Sequence, residues 1–326
     1  MTPAGLALLP TPLVAAPRLA AALGTASLLV KRDDLTGFAV AGNKARQLDA
    51  LLADARARGA DVLVTGGTLG SNFVQAAAAG AAWAGLRCVL VLAGPPVPRS
   101  AHPNLAAALT WGAEVRFTGD PDRTAVDGAI DAVAAELAAA GARPYACPRG
   151  GASAVGATGY RTAVDELLGQ LDGADPVVVV ATGAGGTLAG LVAGVVATGR
   201  RLRVVGASVS RPADEVAARV LDLACQVADL RAEPRPVAQD VEVVDARGPG
   251  HGTASPEGDL AAATALRTEG LVLDPVYTAK ALAALPAVAA GRPALFWHTG
   301  GLLDAVAAML AETTRPTTAP TSRTTP

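Results

Sequence analysis

Lysine is almost absent from this 326-residue chain: Lys31, Lys44 and Lys280 are the only three, so the 27 basic residues less these three leave 24 arginines. Such a skew implies that arginine serves wherever a solvated positive charge suffices. A position that keeps lysine is then a place to look for what guanidinium lacks, an amine that can lose its proton and attack a carbonyl. Aromatic residues are scarce as well, at 3% against 51% hydrophobic residues overall, so alanine, valine and leucine must fill the interior. Close packing of helices on sheets through small side chains is expected.

Other scarcities exclude whole classes. Cys88, Cys147 and Cys225 are odd in number, far apart and without a CxxC pair, which argues for reduced, mostly buried thiols in a cytoplasmic protein. His102, His251 and His298 show no metal-ligand spacing, so no metal site is expected. A net charge of −2 and the lack of any basic run argue against a nucleic-acid partner. No apolar run reaches membrane length. The apolar N-terminal segment has no basic residue before Arg18 and is interrupted by Pro3, Pro10, Pro12 and Pro17, a poor leader and a worse span. A soluble, cytoplasmic protein is the expectation.

What remains has a clear rhythm. Short runs rich in valine or leucine, at Leu28–Lys31, Asp61–Thr65, Cys88–Leu92, Glu114–Phe117, Val177–Ala181, Arg203–Ala207 and Ala294–Trp297, read as strands. Between them lie helical lengths such as Asn43–Arg58, Ser71–Ala84, Thr124–Ala140, Ala154–Leu168 and Gly186–Ala197. This alternation predicts an α/β fold, open and twisted, with mainly parallel sheets covered by helices on both faces. The tail from Glu312 to Pro326 is almost wholly Thr, Pro, Arg, Ser and Ala and is expected to stay disordered.

Four stretches carry chemistry. Lys44 follows Ala41-Gly42-Asn43, just after the polar run Arg32 to Gly37, and is the leading candidate for a Schiff-base lysine; a solvated helix lysine is the plainer alternative. The buried-strand pattern Pro176 to Ala181 runs into Thr182-Gly183-Ala184-Gly185-Gly186-Thr187 and a helix start. Glycines there let the backbone approach an anion, and a helix N-terminus offers free N–H donors. Leu188 stands where a dinucleotide fingerprint needs its third glycine, and Thr187 where a triphosphate loop needs lysine, so a single phosphate suits this turn best, although a plain tight turn would read the same way. Gly66 to Asn72 again joins a strand to a helix, with Ser71 as a plausible N-cap and Asn72 beside it. Tyr277, after Asp274-Pro275-Val276, is either a planar partner for a ring or a half-buried core tyrosine. A lysine amine, a monophosphate cradle and an aromatic plane together describe what pyridoxal phosphate needs.

The chain resembles the D-cysteine desulfhydrase / 1-aminocyclopropane-1-carboxylate deaminase family, pyridoxal-phosphate enzymes of the tryptophan-synthase-β fold type. Seven segments carry the likeness: Arg32 to Gly37, Gly42 to Lys44, Ser71-Asn72, Gly150 to Ser153, Gly185 to Leu191, Asp274 to Thr278 and His298 to Gly301. The resemblance implies a large cofactor-binding domain from 1–46 and 159–311, a small inserted domain at 47–158, and a homodimer. It implies that Lys44 holds the cofactor and shuttles the α-proton, and that Gly183, Ala184, Gly185, Gly186 and Thr187 grip the phosphate. Asn72 would lie beside the ring hydroxyl, Tyr277 on the ring face and Thr278 at the ring nitrogen, while Ser71 receives the substrate carboxylate. Thr299 and Gly300 would complete the substrate pocket.

Departures fall in that pocket. After Ser71-Asn72 this chain has Phe73, Val74, Gln75 and Ala76 where desulfhydrases carry a His and then an Arg-Gln pair. His251 replaces a family tyrosine and is a candidate proton donor, or else an exposed loop histidine. Trp297 stands where a small aliphatic residue is usual. Phe73 and Trp297 together predict a less polar pocket and a larger or more apolar substrate than D-cysteine. The deaminase branch has Glu in the place of Thr278, so Thr278 favours α-proton removal and loss of a β-substituent, giving a 2-oxo acid and ammonia. A deaminase-like or β-replacement reaction and a non-catalytic homologue are the alternatives. A nucleotide-dependent dehydrogenase fails on the incomplete glycine fingerprint.

Overall fold

A computed structural model describes residues 4–313 of the chain. Among the described residues ten strands alternate with eleven α-helices. The strands are β1 (Leu13–Ala15), β2 (Leu28–Arg32), β3 (Val62–Gly67), β4 (Arg87–Leu92), β5 (Glu114–Phe117), β6 (Pro144–Ala146), β7 (Val177–Thr182), β8 (Val204–Ser208), β9 (Glu242–Asp245) and β10 (Ala294–His298). The helices are α1 (Pro17–Leu23), α2 (Lys44–Ala57), α3 (Asn72–Ala84), α4 (Pro103–Thr110), α5 (Ala125–Ala139), α6 (Ala154–Gln170), α7 (Gly186–Thr198), α8 (Ala213–Arg231), α9 (Pro256–Glu269), α10 (Thr278–Ala289) and α11 (Leu302–Thr313).

Two sheets form. One has six strands in the order β1-β2-β10-β7-β8-β9, parallel except for the antiparallel edge pair β1–β2. The other has four parallel strands, β5-β4-β3-β6, all between residues 62 and 146. The strand period of two sorts the core cleanly. Val177, Val179 and Ala181 face one apolar cluster with α9 and α10, while Val178 and Val180 face another with α6, α7 and α8. In the smaller sheet Leu63 and Leu90 meet α2 and α3, and Val62, Val64, Val89 and Val91 meet α5. Both sheets are thus covered on both faces, which is why their strands read as continuous hydrophobic runs.

Scarce aromatics have a structural counterpart in the helix seams. At Gly190 a Cβ would stand 2.2 Å from the Ala157 carbonyl, and at Gly194 2.6 Å from Val164 Cγ2, so α7 lies backbone against α6. The tail expected to be disordered lies outside the described residues from position 314 onward, whereas residues 312 and 313 close α11. Among the described residues no helix is long and apolar enough to cross a membrane, and no group of His, Cys, Asp and Glu could hold a metal ion.

Candidate active site

A cleft of about 1160 Å³, counting its open mouth, lies among the loops that follow β3, β6, β7, β8 and β10. Ligands of open α/β sheets bind outside the carboxyl ends of the strands, and this cleft has that position. Lys44, Ser71, Asn72, Phe73, Gly183, Ala184, Gly185, Gly186, Thr187, His251, Tyr277, Thr299 and Gly300 all line it.

Lys44 opens α2. Its position is set by the turn before it: Asn43 N–H donates to the Thr299 carbonyl at 2.9 Å, and Asn43 Nδ2 donates to Thr187 Oγ1 at 3.0 Å. Gly42 is needed for this approach, because it takes a positive φ of 54° and a Cβ there would be 2.5 Å from the same Thr299 oxygen. The other two lysines are spoken for. Lys31 Nζ donates to Thr11 O at 2.7 Å and Gln170 Oε1 at 2.6 Å and pairs with Glu166, and Lys280 Nζ donates to the carbonyls of Arg247 at 2.6 Å and Gly250 at 2.9 Å. Lys44 Nζ has no hydrogen bond or ion pair among the described residues. Enclosed by the cleft walls, the amine is lowered by burial from the usual lysine range to about 8.

Opposite Lys44 the Gly-rich turn runs from β7 into α7. Gly185, at φ 99°, turns the chain into the helix, so the first N–H groups of α7 face the cleft unpaired. Tyr277 stands over the turn: a Cβ at Gly183 would lie 3.1 Å from its Cε1. The backbone that carries Tyr277 is fixed by Asp274, whose carboxylate accepts from the N–H groups of Val276 (3.0 Å), Tyr277 (2.8 Å) and Thr278 (2.9 Å). Ser71 occupies the N-cap position of α3, yet its hydroxyl makes no capping bond and is left to the cleft. Asn72 Oδ1 accepts from Asn104 Nδ2 at 3.3 Å. His251 meets the Tyr277 ring edge-on at 6.4 Å between centroids. Burial, then the nearby Arg123, Lys280 and Arg211, hold its imidazole below the usual histidine range, so it is neutral at pH 7.

Three expected site residues are elsewhere. Trp297 is wholly buried beneath the six-stranded sheet, where its Nε1 donates to Asp33 Oδ2 at 2.8 Å and its ring meets Tyr160 edge-on. Strand alternation turned it toward the α6–α8 cluster, away from the strand end. Gln75 lies one turn into α3 and points back, donating to the carbonyls of Val40 at 3.1 Å and Asn72 at 3.4 Å. Thr278 is buried as the first residue of α10, and its hydroxyl donates to Asp274 Oδ1 at 2.6 Å. Thr299 takes its place on the cleft wall, with a hydroxyl that makes no hydrogen bond among the described residues. Sequence reasoning also passed over Gln47, Ser210 and four arginines, Arg123, Arg149, Arg211 and Arg219, that line the cleft.

Fold and cleft together define an enzyme that handles a carbonyl compound through a lysine that burial makes easier to deprotonate, and an anion through a helix N-terminus. The chain belongs to the pyridoxal-phosphate-dependent enzymes, whose family model matches residues 5–300. It is 37% identical over 307 residues, 90% of this chain and 92% of the relative, to a D-cysteine desulfhydrase of Klebsiella pneumoniae subsp. pneumoniae. A crystal structure of an ACC deaminase homologue superimposes with a TM-score of 0.88 at 33% identity, covering 95% of this chain and 96% of the other. A fungal L-serine ammonia-lyase from Rhizomucor miehei shares the fold at a TM-score of 0.65 and 18% identity, over 95% and 99% of the two chains.

The residues present fit that cofactor. An aldehyde requires an unprotonated amine, and Lys44, unpartnered and lowered to about 8, loses its proton far more readily than an exposed lysine. A phosphate monoester requires close N–H donors, which the glycines before α7 provide. Replacing Gly183 by Ala would press on Tyr277 and is expected to weaken pyridoxal phosphate binding about tenfold, read by titrating the apoprotein and following absorbance.

Proposed function

We propose that this enzyme is a lyase acting on a small amino acid in the manner of D-cysteine desulfhydrase, removing the α-proton and a β-substituent to leave a 2-oxo acid and ammonia. The observation that carries the reading is the Lys44 amine, unpartnered and lowered to about 8, on the same cleft as the N-terminus of α7. Bound pyridoxal phosphate supplies the electron sink that makes the substrate α-hydrogen acidic. Lys44 Nζ takes that proton and holds it for return or transfer. Ser71, with its hydroxyl uncommitted, and the N–H groups that open α3 receive the α-carboxylate.

Asn72, oriented by Asn104, stands for the ring hydroxyl, and Tyr277 for the ring face. Thr299, not Thr278, would offer a hydroxyl to the ring nitrogen, and a hydroxyl there would leave the ring closer to neutral than a carboxylate. Asp274 does not serve as that carboxylate, since four donors already occupy it. This weighs against the deaminase alternative. His251, neutral, can donate its N–H but is not a cationic acid at pH 7. The same reading takes 47–158, which holds the smaller sheet, as an inserted domain, and the enzyme as a cytoplasmic homodimer.

Capture of the cofactor should follow the state of Lys44. Below a pKa of about 8 the amine is protonated and inert; above it the neutral amine prevails. The rate at which apoprotein regains absorbance with pyridoxal phosphate is therefore expected to climb with pH through about 8 and then level, well below the ~10.4 of an exposed lysine. Release of a 2-oxo acid from a panel of D- and L-amino acids with β-leaving groups tests the lyase reading. No release from any member by cofactor-loaded enzyme would defeat it.

A further inference from the structure

With Trp297 buried away from the cleft, the walls are less apolar than the sequence implies. What gathers there is positive charge. Arg123 lies between β5 and α5, Arg149 follows β6, Arg211 follows β8 and Arg219 lies on α8, and all four line the cleft. Arg149 is satisfied by Asp127 at 2.7 Å. Arg211 reaches Glu215 only at 3.9 Å, and Arg123 donates to the Ser210 carbonyl at 2.8 Å. Arg219 makes no hydrogen bond or ion pair among the described residues. Arg149 and Arg211 face the carboxylates of Asp127 and Glu215, but neither Arg123 nor Arg219 has a carboxylate within ion-pairing distance among the described residues.

Like charges brought together by four separate segments oppose one another. Arg211 shows the effect: burial first, then Arg123, Arg219 and Arg149, hold it below the usual arginine range. An arrangement of this kind is relieved when an anion enters. The cofactor phosphate already has the N–H groups of α7. Arg123 and Arg211 also act on His251, which meets Tyr277 edge-on, so they reach the His251 wall of the cleft as well as the phosphate turn.

We infer that the substrate is an amino acid whose β-substituent is itself an oxyanion ester, phosphate or sulfate, held by Arg123, Arg211 and Arg219. The inference rests on the lyase reading and names its substrate class. Lys44 Nζ accepts the Cα proton, the Cβ–O bond breaks, and its electron pair leaves on the ester oxygen, where the guanidiniums meet the developing charge. With one water the sum is 2-oxo acid, ammonium and inorganic phosphate or sulfate.

The experiment compares both enantiomers of O-phosphoserine and serine O-sulfate with the neutral β-chloroalanine, using holoenzyme and the variants Arg211→Gln and Arg219→Gln. Wild type is expected to favour an ester in kcat/KM. The ratio of ester to β-chloroalanine should fall about tenfold or more in each variant, the worth of one charge-assisted hydrogen bond, mainly through KM. A ratio unchanged in both variants overturns the inference. So does a loss of pyridoxal phosphate affinity with the ratio intact, which would assign the arginines to the cofactor. If nothing yields 2-oxo acid, the lyase reading fails. Binding then decides: the change in cofactor absorbance should saturate at lower O-phosphoserine than serine, and Arg211→Gln should abolish that difference; no difference in wild type overturns the inference.

Discussion

Replacing Lys44 by Ala is expected to lower turnover by roughly 10²- to 10⁴-fold, the range for loss of a positioned proton-transfer group. It should also remove the absorbance of lysine-bound cofactor. The loss should not come from unfolding. Lys44 Nζ makes no bond to the rest of the described chain, and its desolvation costs the fold stability, so thermal stability of the apoprotein should hold or rise. Lys44→Arg sharpens the point, since a guanidinium keeps the charge but does not give up its proton. The combination of lost turnover, lost absorbance and kept stability is the expected signature. A Lys44→Ala enzyme that still released 2-oxo acid at the wild-type rate would remove this lysine from the chemistry.

Asp33→Ala should do the reverse, acting on the fold and reaching the site only through it. Asp33 is wholly buried, and its two oxygens accept from Thr11 Oγ1 at 2.8 Å, Arg46 Nε and Nη2 at 2.9 Å each, Tyr160 OH at 2.5 Å and Trp297 Nε1 at 2.8 Å. Arg46, also buried, turns its remaining side to Glu166, which in turn pairs with Lys31. Removing Asp33 leaves the Arg46 guanidinium to Glu166 alone, the Trp297 N–H without an acceptor, and the Thr11 and Tyr160 hydroxyls with only longer contacts to Glu166 at 3.3 Å and the Asn43 carbonyl at 3.5 Å. A loss of about 3 to 5 kcal/mol in unfolding free energy is expected, measured by denaturant titration.

Acid should expose the same dependence. Burial pushes the Asp33 carboxyl up, but Arg46 and the hydrogen bonds together hold it below the usual carboxylate range. Its contribution is therefore complete above an unfolded value of about 3.9 and is lost only as pH falls through the lower, folded one. Asp33→Ala should accordingly flatten the acid limb of the stability profile. An unchanged acid limb would show that the carboxylate does not carry it.

Much of this molecule was legible in its residues, for reasons that can be stated. Runs such as Val177–Thr182 are buried on both faces, so β-branched residues had no alternative to a parallel strand. Lysine stood out because arginine had taken every other basic position. The sequence hid what depends on direction and on partners. Trp297 and Gln75 carry conspicuous side chains, but which way a strand or helix turns them is decided by packing, and both turned inward. The resemblance puts Thr278 at the ring nitrogen, and nothing in Asp274-Pro275-Val276-Tyr277-Thr278 shows that Asp274 captures its hydroxyl. β6 and β9, three and four residues long, are too short to announce themselves and exist through their neighbours. The four cleft arginines looked like any of the twenty others.

Asn43 joins parts of the chain that are made at very different times. Its amide reaches Thr299 just beyond the last strand, and its side chain reaches Thr187. A ribosome thus releases the reactive lysine well before the carbonyl that seats it. Until then a nascent chain has no means of holding the amine beside the glycine turn, and the cofactor has no finished place to dock.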